Sequence, residues 1–333
     1  MAVLVTGAAG FIGHHATRAL LARGEEVVGI DNLNSYYDVR LKQRRVAELE
    51  RDYRAAFSFK RLDFSNGCVL KQALDGMPID RIVHLGAQAG VRYSLKNPAA
   101  YIRSNVAGHI NILELARARS VRHLVYASSS SVYGATKTTP SQIDDRTDRP
   151  CSLYAATKRA GELMSESYAS LYHLPMTGLR FFTVYGPWGR PDMAMWLFTD
   201  AILRGRPLKL FNAGQMRRDF TYVDDIVSGL VQSLDRPPHD DGSLKSGGSL
   251  CPHAIYNLGN HASEDLIDVV HLIEDAVGRK ARLCEKPMQA GDVPETCADI
   301  TASSRDLGFE PRTRISQGIP LFVDWFKTYH GVA

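Results

Sequence analysis

Along the first half of the chain, short continuous apolar runs alternate with longer amphipathic stretches, the pattern of buried strands separated by helices. Ala2 to Thr6 is the first such run. It predicts a strand and is followed by a helix through about Ala22. A second strand is expected from Glu26 to Ile30 and a charged helix from Val39 to Arg51. Further strands are expected at Phe57 to Leu62, Arg81 to Leu85 and His123 to Ala127. Helices should run from about Pro98 to Arg119 and from about Ser152 to Tyr172. Ser152 is placed to cap the latter, and no proline interrupts it before Pro175. This alternation points to an α/β fold with a doubly wound parallel sheet, whose ligands bind at the C-terminal ends of the strands.

Beyond Pro175 the pattern changes. Met176 to Phe182 reads as a strand, Thr183 to Pro191 as a turn-rich loop, residues 193–204 as a helix and Leu208 to Phe211 as a short strand. Phe220 to Val223 predicts a strand and Asp224 to Leu234 a helix. Asp235 to His253, rich in Pro, Gly, Ser and Asp, is expected to be a mobile surface loop before a strand at Ala254 to Leu258. The C-terminal third reads as a small mixed α/β substrate lobe. The expected division is residues 1–178 plus about 216–260 for a nucleotide-binding domain, and about 179–215 plus 261–333 for the lobe.

With 333 residues, 44% hydrophobic and 23% charged, the chain can bury a large core plus a smaller lobe. A formal charge of +4 without a dense Lys/Arg run argues against nucleic acid and suits an anionic metabolite. No apolar run reaches the roughly 18 residues needed to span a bilayer, and the chain begins as a strand rather than a signal segment. A cytoplasmic protein without a membrane partner is expected. Five cysteines, odd in number and without a C-x-x-C pair, fit reduced thiols. The histidines lack metal-ligand grouping and His84 reads as a satisfied strand-end residue, so no metal is assigned.

Gly7, Gly10 and Gly13 follow the first strand at three-residue spacing, with Phe11 and Ile12 between the last two. In that context Gly7 permits a sharp turn, Gly10 removes a side chain that would block a pyrophosphate, and Gly13 lets the helix pack closely. The amides of the helix N-terminus then face the phosphates. Asp31 falls at the end of the second strand, with Asn32 beside it. An acid there accepts hydrogen bonds from both adenosine ribose hydroxyls and repels a 2′-phosphate, which favours NAD over NADP. Asp63, beside Phe64, is placed to reach the adenine amine. The small residues 86–90, with Ala87 among them and Leu85 just before, would let the backbone lie beside the cofactor.

The chemistry is expected at residues 127–158, where the serines Ser128 to Ser131 close a strand and Tyr154 and Lys158 share one helix face. The ammonium should stabilise a phenolate, and a shift of three units takes about 4 kcal/mol. Tyr133 and Lys137 have the same spacing but stand in a turn, with Gly134 and Pro140 breaking any common face. Arg217 and Arg218 fit either a diphosphate or an exposed surface.

These residues carry a resemblance. Thr6 to Gly13, Asp31-Asn32, the serine run closing on Val132-Tyr133-Gly134, Tyr154 to Lys158 and Arg218-Asp219-Phe220 resemble the extended short-chain dehydrogenase/reductase family. Within it, the segments Gln88 to Ser94, Gly186 to Ala194 and Met216 to Tyr222 are most similar to UDP-glucuronate 4-epimerases. Gly86 departs from the pattern, which often has alanine there, and should loosen its loop.

The resemblance implies Tyr154 as base, Lys158 as its electrostatic partner and ribose ligand, and Ser129 as the hydroxyl bridging Tyr154 and the sugar 4-OH. It implies Ser130 and Thr183 at the sugar carboxylate, Arg190 and Arg218 at a diphosphate, Asp292 at the uridine ribose and Arg92 on the substrate side. It further implies a UDP-sugar substrate, a transient 4-keto intermediate without decarboxylation, and a homodimer through the helices at 98–119 and 152–172. Related 4,6-dehydratases carry an Asp-Glu pair, and UDP-glucuronate decarboxylases a Glu, in the segment where Ser130 and Ser131 stand here. Alternatives are a UDP-glucose/galactose-type 4-epimerase, a UDP-glucuronate decarboxylase and, more remotely, a catalytically silent NAD-binding regulator.

Overall fold

Val3, Leu4 and Val5 are wholly buried because their strand, β1 (Ala2–Thr6), lies at the centre of a sheet covered on both faces. The structure is a computed structural model and describes residues 1–135, 138–289 and 291–332. In chain order β1 leads to α1 (Phe11–Ala22), β2 (Val27–Asp31), α2 (Val39–Asp52), β3 (Phe57–Arg61), α3 (Gly67–Ala73) and β4 (Ile79–His84). The short α4 (Pro98–Tyr101) and α5 (Gly108–Ala118) follow, then β5 (His123–Ser129), α6 (Leu153–Tyr172) and β6 (Met176–Phe181). After β7 (Thr183–Tyr185), α7 (Ala194–Leu203), β8 (Pro207–Phe211), β9 (Arg217–Arg218), β10 (Phe220–Tyr222) and α8 (Val223–Leu234), the chain returns to the sheet as β11 (His253–Leu258).

The seven parallel strands run β11-β6-β5-β4-β1-β2-β3, the doubly wound order expected from the alternation of runs. Neighbouring residues of β1 serve opposite faces. Val3 and Val5 pack with α1 and α8, whereas Ala2 and Leu4 join a second cluster with α5. Burial on both faces is why the strands read as unbroken apolar runs.

A third cluster forms the lobe, from Phe198 and Ile202 of α7, Leu208 and Leu210 of β8, Val269 and Ile273 of α9 (Leu266–Val277), and Phe322 and Phe326 of α10 (Ile315–His330). Met216, Phe220 and Tyr222 belong to this cluster, whereas Val223 to Leu234 of α8 pack with the sheet, which β11 joins.

Several elements differ from the expectation. The helix read as one piece from Pro98 to Arg119 contains a π-helical stretch at Ile102–Ala107, built around the buried Asn105. β5 extends to Ser129 because Ser128 and Ser129 still pair with Arg180 and Phe181 of β6. Thr183 to Tyr185, read as loop, forms a parallel pair with β10. The 235–252 segment is a surface loop tied down at several points. Lys245 pairs with Asp241, Ile255 N donates to Ser246 O at 2.8 Å, and the Ser249 hydroxyl donates to Glu166 at 2.8 Å. The five cysteines are unpaired. Among the described residues no helix is long and apolar enough to cross a membrane.

Candidate active site

A cleft of about 340 Å³ opens along the C-terminal ends of the strands, from Asp31 at one end to Ser129, Tyr154 and Thr183 at the other. Gly7, Gly10, Phe11, Ile12 and Gly13 form one wall and Phe64, Leu85 and Ala87 another. The glycine loop is as tight as a dinucleotide site requires. Gly7 has φ +69°, and a Cβ there would stand 2.8 Å from the Gly86 backbone. A Cβ on Gly13 would meet the Gly7 carbonyl at 2.0 Å, so this glycine packs against the loop itself rather than against the strand.

Asp31 is buried at the end of β2, where its carboxylate accepts from Leu33 N at 2.8 Å. Burial pushes its pKa up, and the charges of Lys42 and Arg45 draw it back. This donor and acceptor set, with an acid at the strand end and bare backbone in the glycine turn, fits a dinucleotide. Asp63 is engaged by its own neighbours, accepting from Ser65 N at 2.9 Å, Ser65 Oγ at 2.7 Å and Asn32 Nδ2 at 3.1 Å, and it does not line the cleft. Gly86 also departs from expectation. It is close-packed, because a Cβ there would meet Phe64 at 2.6 Å and Thr6 Oγ1 at 2.9 Å, and its N–H donates to that hydroxyl.

The helix α6 begins where predicted, with the Ser152 hydroxyl accepting from Ala155 N at 3.1 Å, a cap worth about 1 kcal/mol. It presents Tyr154 and Lys158 to the end of β5. Opposing influences act on the Tyr154 phenol. Burial raises its pKa, and the hydrogen bond with Ser129 and then the charge of Arg190 pull it down. Lys158 donates its ammonium to the Ala127 carbonyl at 2.8 Å, and burial lowers its pKa to about 8, with Glu162 acting the other way. Ser129 also caps the following turn by accepting from Ser131 N at 3.2 Å.

Of the substrate-side candidates, Ser130, Thr183 and Arg190 line the same cleft. Arg190 pairs with Asp192 at 3.0 Å, and Tyr36 donates to the same carboxylate at 3.0 Å. Arg92, Arg218 and Asp292 form a separate group. Arg92 and Asp292 are 3.1 Å apart, and the Asp292 charge acts on Arg218, whose guanidinium donates to the Arg217 and Pro294 carbonyls. Gly291 reaches Val91, which lines the cleft, while Ala290 lies outside the described residues. Lys137 lies outside them too. Tyr133, of the discounted pair, donates to Asn257 Oδ1 at 2.7 Å, away from the cleft lining.

Sequence reasoning missed three residues. Glu162 is buried and holds Arg180 at 2.8 and 3.0 Å and the Ser128 hydroxyl at 2.6 Å, which locks the end of β5 to α6. It falls four residues after Lys158, the same interval that picks out Tyr154 and Lys158. Asn105 bonds Gln88 N at 2.8 Å, Gln88 O at 3.0 Å and Thr157 Oγ1 at 3.1 Å, clamping the 86–90 loop to α6. An Asn inside a predicted helix was the available signal, and Asn111 in the same run shares it. Arg45 is buried among carbonyl oxygens and had no sequence signal.

A glycine turn, an acid closing β2 and a Tyr-Ser-Lys set where β5 ends define a Rossmann-type, nicotinamide-dependent enzyme acting on a polar substrate. The chain belongs to the NAD dependent epimerase/dehydratase family, whose sequence model matches residues 3–259. It is similar to a probable UDP-glucuronate 4-epimerase of Rhizobium meliloti, 45% identical over 332 residues that cover 98% of this chain and 97% of the relative. UDP-glucuronate 4-epimerase 6 of Arabidopsis thaliana is 45% identical over 338 residues, covering 100% of this chain and 73% of the relative. The crystal structure of UDP-glucuronic acid 4-epimerase from Bacillus cereus in complex with UDP-glucuronic acid and NAD matches with a TM-score of 0.88 at 33% identity, covering 99% of this chain and 100% of that one.

Proposed function

We propose that the protein is an NAD-dependent UDP-glucuronate 4-epimerase, interconverting UDP-glucuronate and UDP-galacturonate through a 4-keto sugar without loss of CO₂. One observation carries the choice within the family. The sugar end of the cleft is walled by Ser129, Ser130, Ser131 and Thr183, and among the described lining residues the only carboxylate is Asp31, at the far end. Elimination needs a proton-transferring acid beside the sugar, and none lines this end.

Gly7, Gly10, Phe11, Ile12, Gly13, Asp31, Asn32, Leu85, Ala87 and Lys158 hold the dinucleotide, with Phe64 beside it and Asp63 steering Asn32. Bound NAD supplies a two-electron acceptor that gives its electrons back, and a positive ring charge near the phenol. Tyr154 takes the C4 hydroxyl proton through the bridge of Ser129 and keeps it for return. Ser130 and Thr183 direct hydroxyls at the C6 carboxylate, which a C4 ketone would otherwise make prone to leave, and hold it out of line with the carbonyl π system. Arg190 faces the phosphate nearest the sugar, Arg92 and Arg218 the outer phosphate, and Asp292 the uridine ribose.

The division of labour follows the cores, with the nucleotide cofactor on the sheet and the UDP-sugar against the lobe. A homodimer through α4, α5 and α6 is part of the reading, supported by Ile102, Ile110, Leu163, Leu171 and Tyr172, which stand exposed on those helices and the π-helical stretch joining the first two. A cytoplasmic location is supported by the unpaired cysteines. Incubating purified protein with UDP-glucuronate should yield UDP-galacturonate. UDP-xylose as the only product would mean a decarboxylase, and no product from NAD-loaded protein a silent regulator.

A further inference from the structure

Arg45, on α2, is fully buried, yet no carboxylate pairs with it among the described residues. Its guanidinium is spent on carbonyl oxygens of two loops and on one tyrosine hydroxyl. One terminal nitrogen donates to the Ala9 carbonyl of the glycine loop at 2.9 Å and to the Tyr37 hydroxyl at 2.8 Å. The other donates to the Trp188 carbonyl and, at 3.4 Å, to that of Gly189. A buried cation with no carboxylate in ion-pair contact, only the charge of Asp31 acting on it from farther off, is a costly feature, and only the planar fork of arginine reaches both loops at once.

The loop it grips is one that needs gripping. Trp188 is a non-glycine residue at φ +61°, in the left-handed region, which persists only where the surroundings enforce it. The same loop is pinned from α1, where His15 Nε2 stands 2.9 Å from the Pro187 carbonyl and the His14 ring lies 5.5 Å from that of Trp188. Two residues beyond Trp188 comes Arg190, which lines the same cleft as Tyr154. On the other side of the cleft, Tyr37 is adjacent to Tyr36, which reaches Asp192 across the mouth.

We propose that Arg45 is a positioning residue for the sugar-nucleotide site, fixing the 186–193 loop to the glycine loop and so setting Arg190 against Tyr154. The sugar nucleotide and the dinucleotide are thereby registered to each other by a side chain that faces carbonyl oxygens. The inference rests on the epimerase reading for its substrate but not for its geometry.

The test compares wild type, Arg45→Met and Arg45→Lys, all loaded with NAD. Arg45→Met should raise KM for UDP-glucuronate about tenfold or more and lower kcat about tenfold, as misplacement of a binding group by roughly an ångström does. Arg45→Lys, which reaches one loop at a time, should fall between. Chymotrypsin should cut after Trp188 at least about tenfold faster in Arg45→Met, read by intact mass, as the loop opens more often. A purely structural role would lower thermal stability and yield without moving the KM of the folded fraction. Unchanged KM together with unchanged cleavage overturns the proposal, as does failure of both variants to fold, which would make Arg45 a requirement of the fold. Wild type that turns over no UDP-glucuronate sinks the epimerase reading alone, and the cleavage result then decides the loop claim.

Discussion

The ammonium of Lys158 lies 2.8 Å from the carbonyl oxygen of Ala127, so the lysine is anchored to the end of β5 before any ligand is considered. The bond holds the charge in a buried place, and burial lowers its pKa from 10.5 to about 8. Between those pH values the unfolded chain binds the proton and the folded one does not, so stability should rise with pH from 8 towards 10. Below pH 8 both states are protonated and the full cost, about 3 kcal/mol, is present. Urea unfolding at pH 7, 8, 9 and 10 should show this rise in wild type and lose it in Lys158→Met. Parallel profiles for the two proteins would contradict it.

Tyr154 is the group this reading cannot do without. Phenylalanine keeps the ring that packs edge-on against Tyr101 at 6.1 Å and removes only the hydroxyl, on which Ser129 acts. Tyr154→Phe should therefore lose turnover by about 10³-fold, in the range for removing a general base, while NAD still co-purifies in the wild-type amount. Loss of the cofactor along with the activity would show that the hydroxyl is needed for binding, and undiminished turnover would remove Tyr154 from the chemistry.

Glu162 and Arg180 form a buried ion pair at 2.8 Å, with side chains 0% and 2% exposed. Burial pushes the Glu162 carboxyl up, but the bonds and charge of Arg180 and the Ser128 hydroxyl hold it below the usual range. Glu162→Gln leaves a buried guanidinium without its anion and should cost about 3–5 kcal/mol by denaturant unfolding. Combining it with Arg180→Met should cost less than the sum of the two single changes. Additive losses would mean that the two residues do not act as a pair.

The sheet was legible because parallel strands buried on both faces leave apolar runs that need no partner to be recognised, and the glycine turn follows the first of them directly. Tyr154 and Lys158 were legible because helical spacing is a local property. Arg45 was not, since its partners are backbone carbonyls that every residue carries. The group of Arg92, Arg218 and Asp292 could be suspected only by likeness, because nothing in sequence brings residues 126 and 200 positions apart together. The anchoring of Lys158 was not legible either. Spacing puts its ammonium on the face of Tyr154, but its bond to the Ala127 carbonyl comes from a different element.

Gly86 supplies the last prediction, and its sign runs against what likeness to the family suggests. Where such enzymes often carry alanine, this chain has used the space for Phe64, whose ring would lie 2.6 Å from a Cβ at position 86. The ring has little room to retreat. It already fills the space left by the missing side chain of Gly108 on its other side, so close that a Cβ there would stand 2.5 Å away, and His84 packs edge-on at 5.2 Å. Gly86→Ala should therefore overpack the site and destabilise the protein by about 1–3 kcal/mol. It should also strain the bond from Gly86 N to Thr6 Oγ1, now 2.9 Å, and so disturb the wall on which the dinucleotide lies. Adding Phe64→Leu removes the clashing ring edge, and the double variant should recover at least half of the lost stability even though Phe64→Leu alone leaves a cavity. Thermal unfolding and the NAD content of purified protein measure both effects. A fully stable Gly86→Ala protein would mean that Phe64 has somewhere to go.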